Sequence, residues 1–192
     1  MKQGDMFILN TDEMALLLRA KGISHFQGFP LEQIPRSREE ILLATKKLSD
    51  KGFLNSDGSV FHADEEVSAC ISLLEKPAGL WVVTPELEGL PQSFLYVGEQ
   101  ILACQPSALK KGAVKLWRMK WTDLDGFLEQ QGRKTSWEYY PWGQEQASEK
   151  IQLTYMENKM LEAGSSIEIQ EFTAGEFVDF LRKPCLTGRK IN

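Results

Sequence analysis

Four short apolar runs follow one another between residues 80 and 121, and this feature constrains the fold most. They are Leu80–Val83, Ser93–Val97, Ile101–Cys104 and Ala113–Trp121. Each has the length of a strand rather than of a helix, and Gly89 and Gly98 stand in the first two connections as turn residues. Because short turns join antiparallel neighbours, the sequence predicts a mostly antiparallel sheet at the centre of the chain.

Helical signals come before these runs. Thr11, Ser37 and Asp64 are candidate N-caps for three helices, and Glu40 gives Ser37 the spacing of a capping box. The second helix ends in Lys51-Gly52-Phe53-Leu54, and a turn at residues 55–58 with a short extended piece follows, an order that resembles part of a winged helix. We therefore predict a single domain over 1–192. It would have a winged-helix-like helical subdomain over 7–78, followed by the sheet with C-terminal helices over 79–192.

Behind the four runs, the pattern predicts one more strand and three more helices. Thr122 caps a short helix through Gln130, a longer helix spans about 145–163, a strand covers 167–172, and a last helix follows Thr173. The expected class is α+β, with a sheet of about five strands flanked by helices. The segments 120–130 and 170–183 also repeat one pattern of strand, cap and aromatic helix. Two explanations of this repeat are open: it arose by chance, or a duplication produced a fold with a pseudo-two-fold axis.

Composition excludes several classes of function. The chain has 192 residues, a net charge of −5 and a pI near 5.2, which argues against nucleic-acid binding driven by bulk charge. No apolar run approaches the ~20 residues of a membrane span. The three cysteines form no CxxC pair, which fits a reducing, cytoplasmic location. We expect no membrane partner.

Residues that carry chemistry are few. His25 and His62 have no cysteine or aspartate at the spacing of a nucleophile or a metal site. The acidic pairs Glu65/Glu66 and Asp123/Asp125 stand at helix starts, where carboxylates favour the helix dipole. No phosphate-binding or nucleophile motif occurs. The prediction is a non-enzyme without catalytic residues, cofactor or metal, unless the fold assembles a site from distant positions.

Large aromatic side chains cluster between residues 137 and 142. The cluster comprises Trp137, Tyr139, Tyr140 and Trp142. Two interpretations are open. The rings pack a loop onto the domain, or they form an exposed anchor patch for a protein partner, since Trp and Tyr dominate interface energetics. These residues are our candidate partner-binding site.

One stretch supports a family resemblance. The order is a capped helix, the run from Lys51 to Val60, a second helix that ends at Leu73-Leu74-Glu75-Lys76-Pro77, and the strand Leu80–Val83. This order, over roughly residues 7–105, resembles the EspG-like accessory proteins of type VII (ESX) secretion loci and their shorter Gram-positive relatives. The resemblance implies a mostly antiparallel sheet flanked by helices. It also implies a cytosolic chaperone that binds the helical tip of a secretion substrate.

Two functions follow as hypotheses. The first is a non-enzymatic, chaperone-like accessory protein that binds another protein, plausibly a helical type VII secretion substrate. A homo-oligomer is also left open. The alternative is a winged-helix-like transcriptional regulator that contacts DNA through Lys46, Lys47 and Lys51. The acidic start of the helix after Asp64 has the wrong charge for a DNA groove, which makes nucleic acid the weaker choice.

Overall fold

The computed structural model describes residues 6–24, 26–32, 34–58, 60–131, 134–155, 160–165 and 168–187. The helices of these residues are α1 (Thr11–Ala20), α2 (Arg38–Asp50), α3 (Glu65–Ser72), α4 (Leu124–Gln130) and α5 (Ala174–Thr187). The strands are β1 (Phe7–Asn10), β2 (Leu54–Ser56), β3 (Phe61–Ala63), β4 (Gly79–Pro85), β5 (Ser93–Val97), β6 (Ile101–Pro106), β7 (Ala113–Met119), β8 (Lys134–Pro141), β9 (Glu149–Tyr155), β10 (Met160–Ser165) and β11 (Glu168–Thr173). The fold is α+β, as predicted.

The main sheet has nine strands in the described ranges, in the order β1-β7-β6-β5-β4-β8-β9-β10-β11. Every neighbouring pair is antiparallel, so the predicted pairing direction is confirmed. The strands β2 and β3 form a separate hairpin. The predicted count of about five strands is too low, because β1 was not counted and the segments that form β8, β9 and β10 had not been recognised as strands.

The helix expected over 145–163 is wrong. This segment contributes β9 and β10, which pair with each other. Ile151 and Leu153 are buried, whereas the residues between and before them, Gln152 and Lys150, are exposed. This alternation has the period of a strand that is half-buried. The dense charge of residues 145–150 had suggested a helical surface, and it concealed that period.

Helices cover the sheet on both faces. On one face, α4 and α5 pack on a cluster that includes Trp81, Trp137 and Phe177. On the opposite face, α1, α2 and α3 pack on strands β4–β7 through residues such as Met14, Leu48 and Ile71. Because successive side chains of a strand point to opposite faces, β4 supplies Leu80 to one cluster and Trp81 to the other.

The sheet is built around a pseudo-two-fold axis between β4 and β8. A rotation about this axis superimposes β4 on β8. It maps the residue pair Gly79↔Pro141 onto the pair Pro85↔Thr135 and leaves the central pair Val82↔Glu138 in place. Trp81 is therefore equivalent to Trp137, and Pro85 is equivalent to Pro141. The symmetry extends to the next strand on each side, because Trp81 pairs with Leu95 of β5 and Trp137 pairs with Ile151 of β9. The pairs β4–β5 and β8–β9 therefore share one register.

The repeated strand-to-helix segments occupy equivalent places in this arrangement. The peptide N–H of Lys120 donates to Asp123 Oδ2 at 3.0 Å before α4. The N–H of Thr173 donates to Glu176 Oε2 at 2.8 Å before α5. Both helices then cover the same face of the sheet. Of the two explanations for the sequence repeat, a pseudo-two-fold fold is the one that the topology shows.

Candidate functional site

The structure divides the predicted aromatic site between the two faces of the sheet. Residues 137–140 lie on β8, where burial alternates along the strand. Trp137 and Tyr139 have 0% and 2% of their surface exposed. The Trp137 indole N–H donates to Thr135 Oγ1 at 2.8 Å, and the Tyr139 hydroxyl donates to the carbonyl of Ala78 at 3.2 Å. These two rings belong to the core, as the first of the two interpretations expected.

Tyr140 and Trp142 are half-buried and point to the other face. The Tyr140 hydroxyl donates to Glu138 Oε2 at 2.6 Å, and the Lys150 ammonium lies 2.7 Å from Glu138 Oε1. The hydrogen bond from Lys150 and then that from Tyr140 lower the pKa of Glu138, while the bond to Glu138 raises the pKa of Tyr140. Of the four candidate residues, Tyr140 and Trp142 are the two that a partner can contact.

An apolar surface lies between α1, the segment 23–35 and α2. It is a cleft of about 550 Å³. Its apolar lining includes Leu16, Ile23, Phe26, Ile34 and Ile41. Arg19 is the charged residue in this lining. A cleft with so little charge binds water poorly and favours an apolar ligand.

A second cleft of about 480 Å³ lies on the other side of α1, between α2 and the β2–β3 hairpin. Leu16 lines both clefts, so together they form one continuous surface along α1 and α2, which we call the α1–α2 groove. Large apolar side chains stand exposed around it. Ile34 in the first cleft and Phe61 in the second are each 54% exposed. Isolated exposed side chains are common, but a group around an apolar cleft marks an interaction site.

The segment 23–35 is fixed to the sheet by Gln27. Its side-chain amide donates to the carbonyl of Gln144 at 2.5 Å and accepts from the peptide N–H of Gly143 at 3.2 Å. Its own carbonyl accepts from the Tyr96 hydroxyl at 2.6 Å. Gly28 follows with a φ of +127°, and a Cβ there would lie 2.2 Å from the Tyr96 oxygen. The groove wall is therefore held in place by a polar clamp and a close approach that requires glycine.

Two of the three lysines considered for DNA contact are engaged in ion pairs. Lys47 Nζ lies 2.7 Å from Asp12 Oδ2, and Lys51 Nζ lies 2.5 Å from Glu13 Oε2. These pairs join α2 to the start of α1. A lysine whose charge is matched by a carboxylate attracts phosphate less strongly.

The histidines form no catalytic arrangement in the part of the chain that the structure describes. His62 Nε2 lies 3.3 Å from Asp57 Oδ2 on the exposed β2–β3 hairpin. His25 lies outside the described residues. The same residues contain no group of three or more His, Cys, Asp or Glu side chains that could hold a metal ion. Among the described helices, none combines the length and apolar character needed to cross a bilayer.

Sequence reasoning missed the α1–α2 groove. One signal was available in α2, where Ile41, Leu42 and Leu43 stand in succession. A helix that buries one stripe needs apolar residues three and four positions apart, so three in a row place at least one outside the stripe. Leu42 and Leu43 are both exposed.

Comparison with known proteins gives no relative from which a function could be transferred. No protein-family profile matches the chain, and no curated protein matches it.

Proposed function

We propose that this protein is a non-enzymatic, chaperone-like accessory protein that holds the apolar face of a helix from another protein in the α1–α2 groove. The observation that supports this proposal is the pair of exposed apolar side chains in the groove, Ile34 in one cleft and Phe61 in the other. Full burial of such a side chain contributes about 1.5–3 kcal/mol. A partner that covers both gains enough to offset part of the free energy lost on association.

The shape of the surface favours a helix as the ligand. The groove follows α1, whose ten residues span about 15 Å at a rise of about 1.5 Å per residue. A helix of two to three turns has this length and offers apolar anchors at i, i+3, i+4 and i+7.

The resemblance to EspG-like proteins points to a type VII secretion substrate as the partner and to the cytoplasm as the location. An antiparallel sheet flanked by helices agrees with the fold that this resemblance implies. An apolar groove also suits a helical tip that must be shielded before export. Tyr140 and Trp142 remain a second candidate contact for the same partner.

Co-expression with helical secretion substrates from the same locus tests the proposal. Ile34→Glu and Phe61→Glu each place a charge against the apolar ligand, one in each cleft, so we expect each to reduce the co-purified partner at least tenfold. Leu109→Glu is the matched control, because Leu109 is 95% exposed and stands in the β6–β7 connection, away from the groove. Equal yields from all three variants would contradict the proposal.

The winged-helix-like regulator is the alternative function. The β2–β3 hairpin directly follows α2, as a wing follows a recognition helix, and this order favours it. The ion pairs of Lys47 and Lys51 weigh against it. A salt titration against random duplex DNA separates the two functions, because binding through phosphates weakens steeply with salt, whereas a chaperone gives no such signal.

A further inference from the structure

Strand β1 forms one edge of the main sheet. The N–H of Thr11 donates to the carbonyl of Gly112 at 2.9 Å, so the backbone of Thr11 points toward β7. Backbone groups alternate in direction along an edge strand, and those of Ile8 and Asn10 therefore point away from the sheet. A strand added at this edge would need the carbonyl of Ile8 and the N–H of Asn10.

Both of these groups are occupied by one ion pair. Lys51 Nζ donates to the carbonyl of Ile8 at 3.1 Å. Glu13 Oε2 accepts from the N–H of Asn10 at 2.7 Å and lies 2.5 Å from Lys51 Nζ. The Glu13 side chain is fully buried and that of Lys51 is 29% exposed. The pair thus supplies the donor and the acceptor that a neighbouring strand would supply.

We propose that the Glu13–Lys51 pair closes the β1 edge against strand addition by a second copy of this chain. Exposed apolar side chains stand at the same edge, since Met6 is 47% and Ile8 is 40% exposed. An open edge with apolar side chains is a template for self-association, and folded proteins block such edges. In this protein the block comes from helices α1 and α2, each of which contributes one member of the pair.

The variant Glu13→Leu/Lys51→Met opens the edge while keeping the volume of both side chains. Replacement of a buried ion pair by apolar residues of similar size is often neutral for stability. In sedimentation velocity over a concentration series, we expect this variant to self-associate at least tenfold more tightly than the wild type. Adding Ile8→Lys places like charges on paired edges and should return the wild-type behaviour.

The pair Asp12–Lys47 provides the matched control. It joins the same two helices at 2.7 Å, and its lysine is bonded to a carboxylate rather than to strand backbone. Asp12→Asn/Lys47→Met should therefore keep the wild-type mass at every concentration. Wild-type mass for the Glu13→Leu/Lys51→Met variant, association of the control, or association that Ile8→Lys leaves unchanged would overturn the proposal.

Hydrogen exchange of the wild type decides the question if the variant does not fold. The main-chain N–H of Asn10 points to the free side of the sheet and should nevertheless exchange at least 100-fold more slowly than an unprotected amide, because it donates a hydrogen bond to Glu13 Oε2. Exchange of Asn10 at the unprotected rate in the folded wild type would overturn the proposal.

Discussion

Trp137 and Trp142 show how position on a strand decides the role of a residue. Both belong to one aromatic cluster in the sequence, but Trp137 is fully buried and Trp142 is half-buried beside Tyr96, with ring centroids 6.2 Å apart. Trp137 contacts Trp81, Phe127 and Phe177 edge to face. The indole of Trp137 is thus a packing element at the centre of the molecule.

Removal of these two rings should have unequal effects on stability. Trp137→Ala leaves a cavity in the core, and we expect the free energy of unfolding to fall by about 3–5 kcal/mol. Trp142→Ala loses a half-buried ring, and we expect a loss of about 1–2 kcal/mol. Urea denaturation measures both values. Equal losses would mean that Trp137 is not the core residue that the structure shows.

Glu138 gives the molecule one defined response to pH. Its pKa is lowered in the folded state, mainly by the hydrogen bond from Lys150. The ionised Glu138 side chain therefore stabilises the folded state at neutral pH. This stabilisation is lost as the pH falls below 4.5 and through the lowered pKa of Glu138. Because the pair is partly exposed, we expect Glu138→Gln to lower the free energy of unfolding by about 1 kcal/mol or less at pH 7. The difference should shrink as the pH falls below 4.5 and should vanish once Glu138 is protonated in both the folded and the unfolded state. A difference that stays constant over this fall in pH would contradict this assignment.

Elements differ in how far the sequence determines them. The caps Ser37 and Asp64 are confirmed, because their signals are local. The side chain of Ser37 accepts from the N–H of Glu40, and Asp64 accepts from Glu66 and Val67. The caps Thr11 and Thr122 are wrong, since Asn10 precedes α1 and Lys120 precedes the turn that leads into α4. The strands β9 and β10 were missed because β9 is buried on one face and polar on the other and continues the charged run of residues 145–150, so its period competes with a helical surface. The groove was missed since it forms only where three separate elements meet.

The segment 23–35 is the element whose position the groove depends on most. Gln27→Ala removes both side-chain bonds to residues 143 and 144 but keeps the bond from Tyr96 to the Gln27 carbonyl. We expect the amides of 23–35 to exchange about tenfold faster, since each lost bond contributes about 0.5–1.5 kcal/mol. Partner binding should weaken in parallel.

The matched control for this experiment is Gln144→Ala. Gln144 accepts the bond from Gln27 through its main-chain carbonyl, so loss of its side chain leaves the clamp intact. Exchange in 23–35 that stays at the wild-type rate in Gln27→Ala, or that rises equally in Gln144→Ala, would show that the clamp does not hold the segment.

At the scale of the whole molecule, a symmetric sheet carries an asymmetric helical layer. The positions equivalent to Leu80 and Tyr96 in the second half are Ser136 and Gln152, as the shared register shows. Leu80 and Tyr96 are buried under α1–α3, whereas Gln152 is exposed. The apolar face that requires a helical cover therefore exists in one half. The layer that covers it also forms the groove.

Hydrogen exchange with and without the co-purified helical partner tests the central claim most directly. If the α1–α2 groove holds the partner, amides of α1, the segment 23–35 and α2 become protected in the complex, and the strands β8 and β9 keep their rates. Protection confined to residues around Tyr140 and Trp142, or a complex that leaves α1 and α2 unchanged, would contradict the assignment of the groove as the binding site.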